Sequence, residues 1–358
     1  MPKVSIIVPA YNAEKTLKTA VRSLQKQTLR EVEILIIDDG SKDGTGKLAD
    51  KLAAADSRIK VIHQPNAGVS AARNTGLAAA SGEFIGFCDA DDWCAFGMYE
   101  ALYTAAKAYD AADCLCGMYF DTYKSIPLPL WFLGEDAVKA GKELRDRLLL
   151  LFAACQDGPV WKHIFRRDIL QGLRFSEELR YAEDVAFLQE ALRRTKISVA
   201  LKDCFYHYLS RPNSVCHTMG MDAFTSLVFV GSKGLHILHE EGLDTPENLR
   251  YVAAAFGRQF LGAEIATTIR QARMTEEDVA AYFGKLLEEP SLRLLRDIDI
   301  PNGGESLHVL QEALRTGDFM PYCSLMAAQP LPKHGSFYNF LRRLSYQRWL
   351  LWQKLTIG

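Results

Sequence analysis

Short runs of β-branched and other apolar residues alternate with helical patterns over the first ninety residues. Four such runs, which have little polar content, predict strands at Val4–Val8, Glu33–Ile37, Ile59–His63 and Phe84–Cys88. Runs of this kind suit strands that are buried on both faces of a parallel sheet. Between them, apolar residues recur at helical spacing, as at Leu17, Val21 and Leu24. Strands and helices in alternation predict right-handed βαβ units and an open α/β sheet, mostly parallel and flanked by helices.

Further along the chain the pattern changes and divides the sequence into two parts. After residue 112 we expect two strands and two helices, at Leu115–Phe120, Ser198–Tyr208, Lys142–Ala154 and Glu183–Arg194. From Met221 onward the pattern is almost wholly helical, with a long amphipathic stretch at Pro246–Arg273 and a helix start at Thr275. We therefore expect a boundary near residue 220, between an α/β domain (1–220) and a mainly α-helical C-terminal domain (221–358).

Composition and charge exclude several classes of protein. With 48% hydrophobic and 24% charged residues, the 358-residue chain is typical of globular proteins. A net charge of −2 gives no overall attraction to nucleic acid, so we expect no nucleic-acid partner. No stretch reaches the roughly 18 apolar residues of a membrane span, and the sequence after Met1 does not resemble a signal peptide. The eight cysteines form no CxxC pair, so we expect reduced thiols in a cytoplasmic protein, soluble or peripheral at the inner face of the cell membrane.

Polar residues follow three of the predicted strands at the point where each strand ends. These are Pro9–Asn12 after the first strand, Asp38–Ser41 after the second and Asp89–Asp92 after the fourth. In open α/β sheets, ligands bind beyond the carboxyl ends of the strands. We therefore expect all three segments to face one crevice.

The acidic segment Asp89–Asp92 predicts a metal site. Three carboxylates in four residues repel one another unless a cation joins them, and hard oxygen ligands favour Mg²⁺ or Mn²⁺. A solvated turn is the alternative for such a segment, but its position after a buried strand favours the metal.

Two other acidic pairs leave a structural and a functional interpretation open. Asp38 and Asp39 could accept hydrogen bonds from a base or a ribose, or one of them could only cap the next helix in an Asx-turn through Asp38, Ser41 or Asp43. Glu183-Asp184 begins a predicted helix, where charge complementarity with the helix dipole alone explains acidic residues.

Six motifs in order resemble a known family. They are Val4–Asn12, Ile36–Ser41, Asn66–Asn74, Phe87–Trp93, Trp161–Leu170 and Glu183-Asp184. They cover roughly the first 215 residues and closely resemble glycosyltransferase family 2, whose members act in capsule, exopolysaccharide or lipopolysaccharide assembly. The resemblance implies a GT-A fold, in agreement with the α/β prediction. It also implies a metal-dependent, inverting transfer from a nucleotide-diphosphate sugar, usually a UDP-sugar, to a hydroxyl of a glycan or a lipid-linked saccharide.

The resemblance also assigns roles to residues. The nucleotide sugar would bind at Pro9, Tyr11, Asp39, Arg73, Asp89, Arg211 and Ser214, the last two in a loop that closes over the diphosphate. Asp91 and Asp89 would hold Mn²⁺ or Mg²⁺, and Asp184 would be the catalytic base. Residues 1–112 would then bind the donor, and residues 113–220 would bind the acceptor and carry the base. His163 stands where many relatives have lysine and receives no role, and His207 is either a further metal ligand or a hydrogen-bonded structural residue.

Alternatives to this function stay open. A sugar nucleotidyltransferase shares the α/β crevice and the metal chemistry, although Pro9–Asn12 replaces the glycine-rich signature expected near its first strand. A non-catalytic subunit with the same fold is the other alternative. Residues 333–358 are basic and aromatic without an acidic residue, so they could form an amphipathic helix on an anionic membrane, or dock on their own domain or in a homodimer.

Overall fold

The computed structural model describes most of the chain. The described residues are 1–121, 125–156, 158–209, 220–261, 266, 268–270, 272–300 and 303–328. Two predictions fall outside them: the diphosphate loop with Arg211 and Ser214, and the tail of residues 333–358. Within the described ranges, the helices are too short or too polar to cross a membrane.

A mixed sheet forms the centre of the molecule. Its strands in the described residues are β1 (Val4–Ala10), β2 (Val32–Asp39), β3 (Ile59–Gln64), β4 (Phe84–Phe87), β5 (Trp93–Cys94), β6 (Asp113–Asp121), β7 (Ser125–Leu128), β8 (Val138–Gly141), β9 (His163–Arg166) and β10 (Ser198–Leu209). They lie in the order β3-β2-β1-β4-β9-β6-β10-β5, with β7 on β6 and β8 on β10. The strands β3, β2, β1 and β4 are parallel, as predicted. Beyond β4 the sheet becomes mixed, because β9 runs antiparallel to both β4 and β6.

Helices cover the sheet and form the C-terminal region. Those before residue 220 are α1 (Leu17–Gln25), α2 (Thr45–Ala55), α3 (Val69–Ala79), α4 (Met98–Ala108), α5 (Lys142–Ala153) and α6 (Glu183–Arg193). Those after it are α7 (Met221–Glu240), α8 (Pro246–Gly257), α9 (Glu276–Gly284), α10 (Pro290–Asp297), α11 (Glu305–Thr316) and α12 (Met320–Ala328). The predicted α/β fold with a helical C-terminal region is therefore confirmed.

Local sequence explains two of the helix boundaries after residue 220. The amphipathic stretch Pro246–Arg273 is not one regular helix, since α8 ends at Gly257 and a 3₁₀ turn follows at Arg258–Leu261. Thr275 begins α9 as predicted. Its side chain accepts a hydrogen bond from the Asp278 amide, while the Asp278 carboxylate accepts one from the Thr275 amide, which forms a capping box.

The close approach of α3 to β1 determines how deep that helix lies. Gly76 faces Ile7, and a Cβ atom at this position would overlap the Ile7 side chain. Both residues belong to the parallel half of the molecule, where every residue from Val4 to Val8 is buried. Glycine allows this packing distance, and Arg73, one turn earlier on α3, is also buried.

Two hydrophobic clusters meet at α7. Val230, Ile237 and Leu238 pack with the sheet and its helices, whereas Phe224 and Val228 pack with the helices that follow. Helix α8 also contributes to both clusters, with Val252 in the first and Phe256 in the second. We keep the division at residue 220 as a proposal.

Candidate active site

Arg73 gathers three carboxylates from two distant parts of the chain. Its guanidinium lies 3.2 Å from Asp89 Oδ1, 3.1 Å from Glu183 Oε1 and 2.6 Å from Asp184 Oδ1. It also lies 5.3 Å from the centre of the Phe175 ring, and the arginine is only 3% exposed. One buried arginine therefore contacts both the predicted metal segment and the predicted base.

The electrostatic environment raises the pKa of Asp184. Burial is the main cause and raises this pKa from 3.8 to about 7. The positive charge of Arg73 lowers it, and the negative charges of Glu183 and Asp89 raise it. The backbone amide of Val160 donates a hydrogen bond to Asp184 Oδ2 at 3.3 Å. Burial by itself would lower the pKa of Arg73, but the three carboxylates raise it overall. A carboxyl group that titrates near neutral pH is suited to accept a proton during a reaction.

Helix α6 begins with a strained residue directly before the acidic pair. Ala182 has φ +58°, in the left-handed region that residues other than glycine rarely adopt. This turn places Glu183 and Asp184 in the first turn of α6, where the helix dipole favours negative charge. Backbone strain of this kind occurs frequently at functional sites.

The acidic segment after β4 is suited to a hard divalent cation. One oxygen from each of Asp89, Asp91 and Asp92 can be chosen so that all three lie within 4.8 Å of one another. Carboxylate oxygens are the ligands that Mg²⁺ and Mn²⁺ prefer, so the donor set fits the predicted metal.

Asp92 differs from the other two carboxylates because it turns inward. It is buried, and burial together with the charge of Asp89 raises its pKa well above the ordinary value. Its oxygens accept hydrogen bonds from the Tyr206 hydroxyl and the Leu209 amide, both at 2.9 Å. Asp89 and Asp91 are more exposed, so they stay the predicted metal ligands.

Both histidines named in the sequence analysis have a carboxylate partner within the protein. His207 stacks between Trp93 and Tyr119, with ring centres 3.4 Å and 4.5 Å away, and its Nδ1 lies 3.0 Å from Asp121 Oδ2. His163 is fully buried, and its Nδ1 lies 2.7 Å from Asp113 Oδ1.

Asp39 organises the loop before α3. Its Oδ1 accepts hydrogen bonds from the Gln64 side chain and the Ala67 amide, and its Oδ2 accepts them from the Asn66 side chain and the Gly68 amide. Because four protein donors already bind this buried carboxylate, its direct contact with a nucleotide base stays a prediction. The loop that it holds leads into the N-terminus of α3.

Asp38 holds the turn that follows β2. Its Oδ1 accepts a hydrogen bond from the Ser41 amide at 3.2 Å, and its Oδ2 lies 2.8 Å from His63 Nδ1. Gly40 turns the chain between them with φ +70°, and a Cβ atom there would lie 2.6 Å from the Asn66 amide nitrogen. Helix α2 begins after Gly44 without a side-chain cap, so Asp38 does not cap it. The Asx-turn lies at Asp43, whose Oδ1 accepts a hydrogen bond from the Thr45 amide at 3.0 Å.

The remaining predicted donor residues frame the crevice without joining the Arg73 cluster. Tyr11 follows β1 and is 48% exposed, and Pro9 is half-buried at the end of the same strand. Val69, at the first position of α3, is a further exposed apolar side chain, at 43%. Exposed aromatic and aliphatic side chains at strand ends are suited to pack against a nucleotide base.

Comparison with known proteins identifies the family. The model of "Glycosyl transferase family 2" matches residues 5–173. Glycosyltransferase GlyG from Streptococcus pneumoniae is 30% identical over 223 residues, which are 60% of this chain and 73% of GlyG. The chain belongs to glycosyltransferase family 2.

Other matches of this family-2 glycosyltransferase agree in fold. The uncharacterized glycosyltransferase EpsJ from Bacillus subtilis is 36% identical over 217 residues, 60% of this chain and 63% of EpsJ, so the chain spans less than two thirds of that relative. The crystal structure of S. aureus TarS 1-349 in complex with UDP superposes with a TM-score of 0.68 at 21% identity, and the match covers 90% of each chain. At this identity the likeness establishes the GT-A fold alone.

Proposed function

We propose that this protein transfers a sugar, with inversion, from a UDP-sugar to a hydroxyl group of a glycan or a lipid-linked saccharide. The observation that carries the proposal is the Arg73 cluster, which holds the carboxylate of Asp89 next to that of Asp184. A donor diphosphate bound through Asp89 would place its sugar beside a carboxylate that can accept a proton. The identity of the acceptor rests on the family resemblance.

Asp89 and Asp91 would hold the divalent cation. When bound, Mn²⁺ or Mg²⁺ supplies positive charge that neutralises the departing nucleoside diphosphate. Arg211 and Ser214 are proposed to contact the same diphosphate, on the family resemblance.

Asp184 would act as the general base. An acceptor hydroxyl that donates a hydrogen bond to Asp184 loses its proton to this carboxylate as its oxygen attacks the anomeric carbon. Attack from the face opposite the leaving group is a single displacement, which inverts the anomeric configuration. Arg73 fixes Asp184 through the 2.6 Å ion pair and so keeps the base oriented toward the crevice.

The test separates donor binding from turnover. Asp184→Asn is expected to reduce turnover by roughly 10²- to 10⁴-fold, the usual contribution of general base catalysis. UDP-sugar affinity in the presence of Mn²⁺, measured by calorimetry, should change little. Glu183→Gln, which alters the neighbouring carboxylate on the same turn, is the matched control and should lose much less turnover.

The same experiment decides between the proposal and a non-catalytic subunit. Turnover that survives Asp184→Asn would exclude Asp184 as the base, and a wild-type protein that binds donor without turnover would favour the non-catalytic alternative. A sugar nucleotidyltransferase finds no support, because the chain belongs to a glycosyltransferase family.

A further inference from the structure

Asp92 lies in the acidic segment but makes a different set of contacts from its neighbours. It is 2% exposed, and its two oxygens accept hydrogen bonds from the Tyr206 hydroxyl and the Leu209 amide, each at 2.9 Å. Asp89 and Asp91 are more exposed and lie at the crevice. Because both oxygens are held by buried hydrogen bonds, a shift of Asp92 toward a cation would weaken these bonds, which is unfavourable.

Tyr206 connects this carboxylate with the rest of the site. Its hydroxyl oxygen accepts a hydrogen bond from the Asp89 amide at 3.1 Å while the hydroxyl donates to Asp92. Its ring stacks on Trp161, with ring centres 4.0 Å apart and planes at 14°. Trp161 follows Val160, whose amide donates to Asp184. The metal segment, the end of β10 and the predicted base therefore share one network of buried contacts.

Leu209 is the last residue of β10. The hydrogen bond from its amide to Asp92 therefore fixes the end of β10 relative to Asp89 and Asp91, which precede Asp92 by three positions and one position.

We propose that Asp92 is a positioning residue and not a metal ligand: through Tyr206 and Leu209 it aligns the metal-binding segment with the end of β10. The inference rests on the proposed function, since it assumes that Asp89 and Asp91 hold the cation. It assigns Tyr206 a supporting role, because the tyrosine holds both the Asp89 amide and the Asp92 carboxylate.

Two variants test the proposal, with Asp91→Asn as the reference for a lost metal ligand. Tyr206→Phe removes the hydroxyl without changing the acidic segment, and Asp92→Asn removes the charge while keeping the shape. The dissociation constant of Mn²⁺ is measured by calorimetry at saturating UDP, and kcat and the donor KM are measured with a UDP-sugar and the natural or a surrogate hydroxyl acceptor. Thermal unfolding of each variant checks that it folds.

The two interpretations predict different results. For a positioning role, both variants keep the Mn²⁺ affinity within about threefold and lower kcat roughly 10- to 100-fold, as expected when residues that support a metal site are altered. Asp91→Asn should weaken Mn²⁺ binding by at least tenfold.

Two results would overturn the proposal. One is an Asp92→Asn variant that loses as much Mn²⁺ affinity as Asp91→Asn, and the other is a Tyr206→Phe variant with unchanged kcat. If Asp92→Asn does not fold, Tyr206→Phe decides alone. A wild-type protein that binds no UDP in the presence of Mn²⁺ would instead contradict the proposed function. UDP binding by the wild type is therefore measured before the variants.

Discussion

Replacing Asp184 by asparagine is expected to stabilise the fold at alkaline pH while it removes the proposed base. Burial raises the pKa of Asp184 from 3.8 to about 7, so the folded protein holds this proton more tightly than the unfolded chain does. Protonated Asp184 therefore contributes stability at low pH, and this contribution is lost as the pH rises from about 4 through about 7. Asparagine resembles the protonated carboxyl group and does not titrate.

The magnitude follows from the size of the shift. A difference of about 3 pKa units corresponds to a stability change on the order of 4 kcal/mol between the two pH limits, at 1.36 kcal/mol per unit. The free energy of unfolding of Asp184→Asn, relative to that of the wild type, should therefore increase by about 2 to 3 kcal/mol between pH 5 and pH 8.

Urea denaturation at pH 5 and pH 8, in EDTA and without donor, measures this difference. EDTA removes divalent cations, whose charge would favour the ionised carboxylate. Asp110→Asn, at a carboxylate whose side chain is 96% exposed, controls for the loss of one negative charge. If the difference in free energy of unfolding between Asp184→Asn and the wild type is the same at both pH values, or smaller at pH 8, the reasoning about burial at this site is refuted.

Two further predictions concern the backbone around the site. Ala182→Gly should keep or raise the free energy of unfolding, by up to about 1 kcal/mol, because glycine adopts the left-handed conformation without strain. The control Ala186→Gly, inside α6, should lower the free energy of unfolding by about 1 kcal/mol. Equal losses for the two variants in urea denaturation would contradict the strain argument. Gly76→Ala should destabilise by about 1 to 3 kcal/mol because its Cβ overlaps Ile7. Gly284→Ala, where a Cβ meets no atom within 4 Å, is the control, and a Gly76→Ala variant as stable as this control would contradict the packing argument.

The parallel half of the fold was predictable because its signals are local. The runs at Val4–Val8 and Glu33–Ile37 lie inside β1 and β2, and the polar residues after them lie at strand ends as expected. The Asx-turn at Asp43 and the helix start at Thr275 also depend only on neighbouring residues.

In the mixed half of the sheet, β6 and β10 lie where the sequence predicts strands, but β5, β7 and β9 were not predictable because they carry little signal of their own. Strand β5 has two residues, and β7 contains Pro127 and is exposed throughout, so neither shows the alternation of a half-buried strand. Strand β9 lies between β4 and β6 through pairing partners more than 45 residues away in the chain. Such pairing is decided by tertiary packing.

The candidate site shows the same limit. Arg73 meets Asp184 across 111 residues of sequence, and no local pattern indicates this contact. On local grounds Glu183-Asp184 is an ordinary helix start, and only the family resemblance singled out Asp184. The resemblance, in turn, did not indicate that the Asp39 carboxylate is occupied by the loop of residues 66–68, or that Asp92 turns inward to Tyr206.

Donor binding tests the central claim most directly. Thermal unfolding is measured with UDP-, GDP-, dTDP- and CMP-sugars, each with and without Mn²⁺. A ligand at 100 times its dissociation constant stabilises the folded state by about 2.7 kcal/mol, so specific binding is easily detected. We predict stabilisation by UDP-sugars that requires Mn²⁺ and disappears in Asp91→Asn. A correctly folded protein whose stability changes with none of these donors, or equally with and without Mn²⁺, would contradict the account of a metal-dependent nucleotide-sugar site.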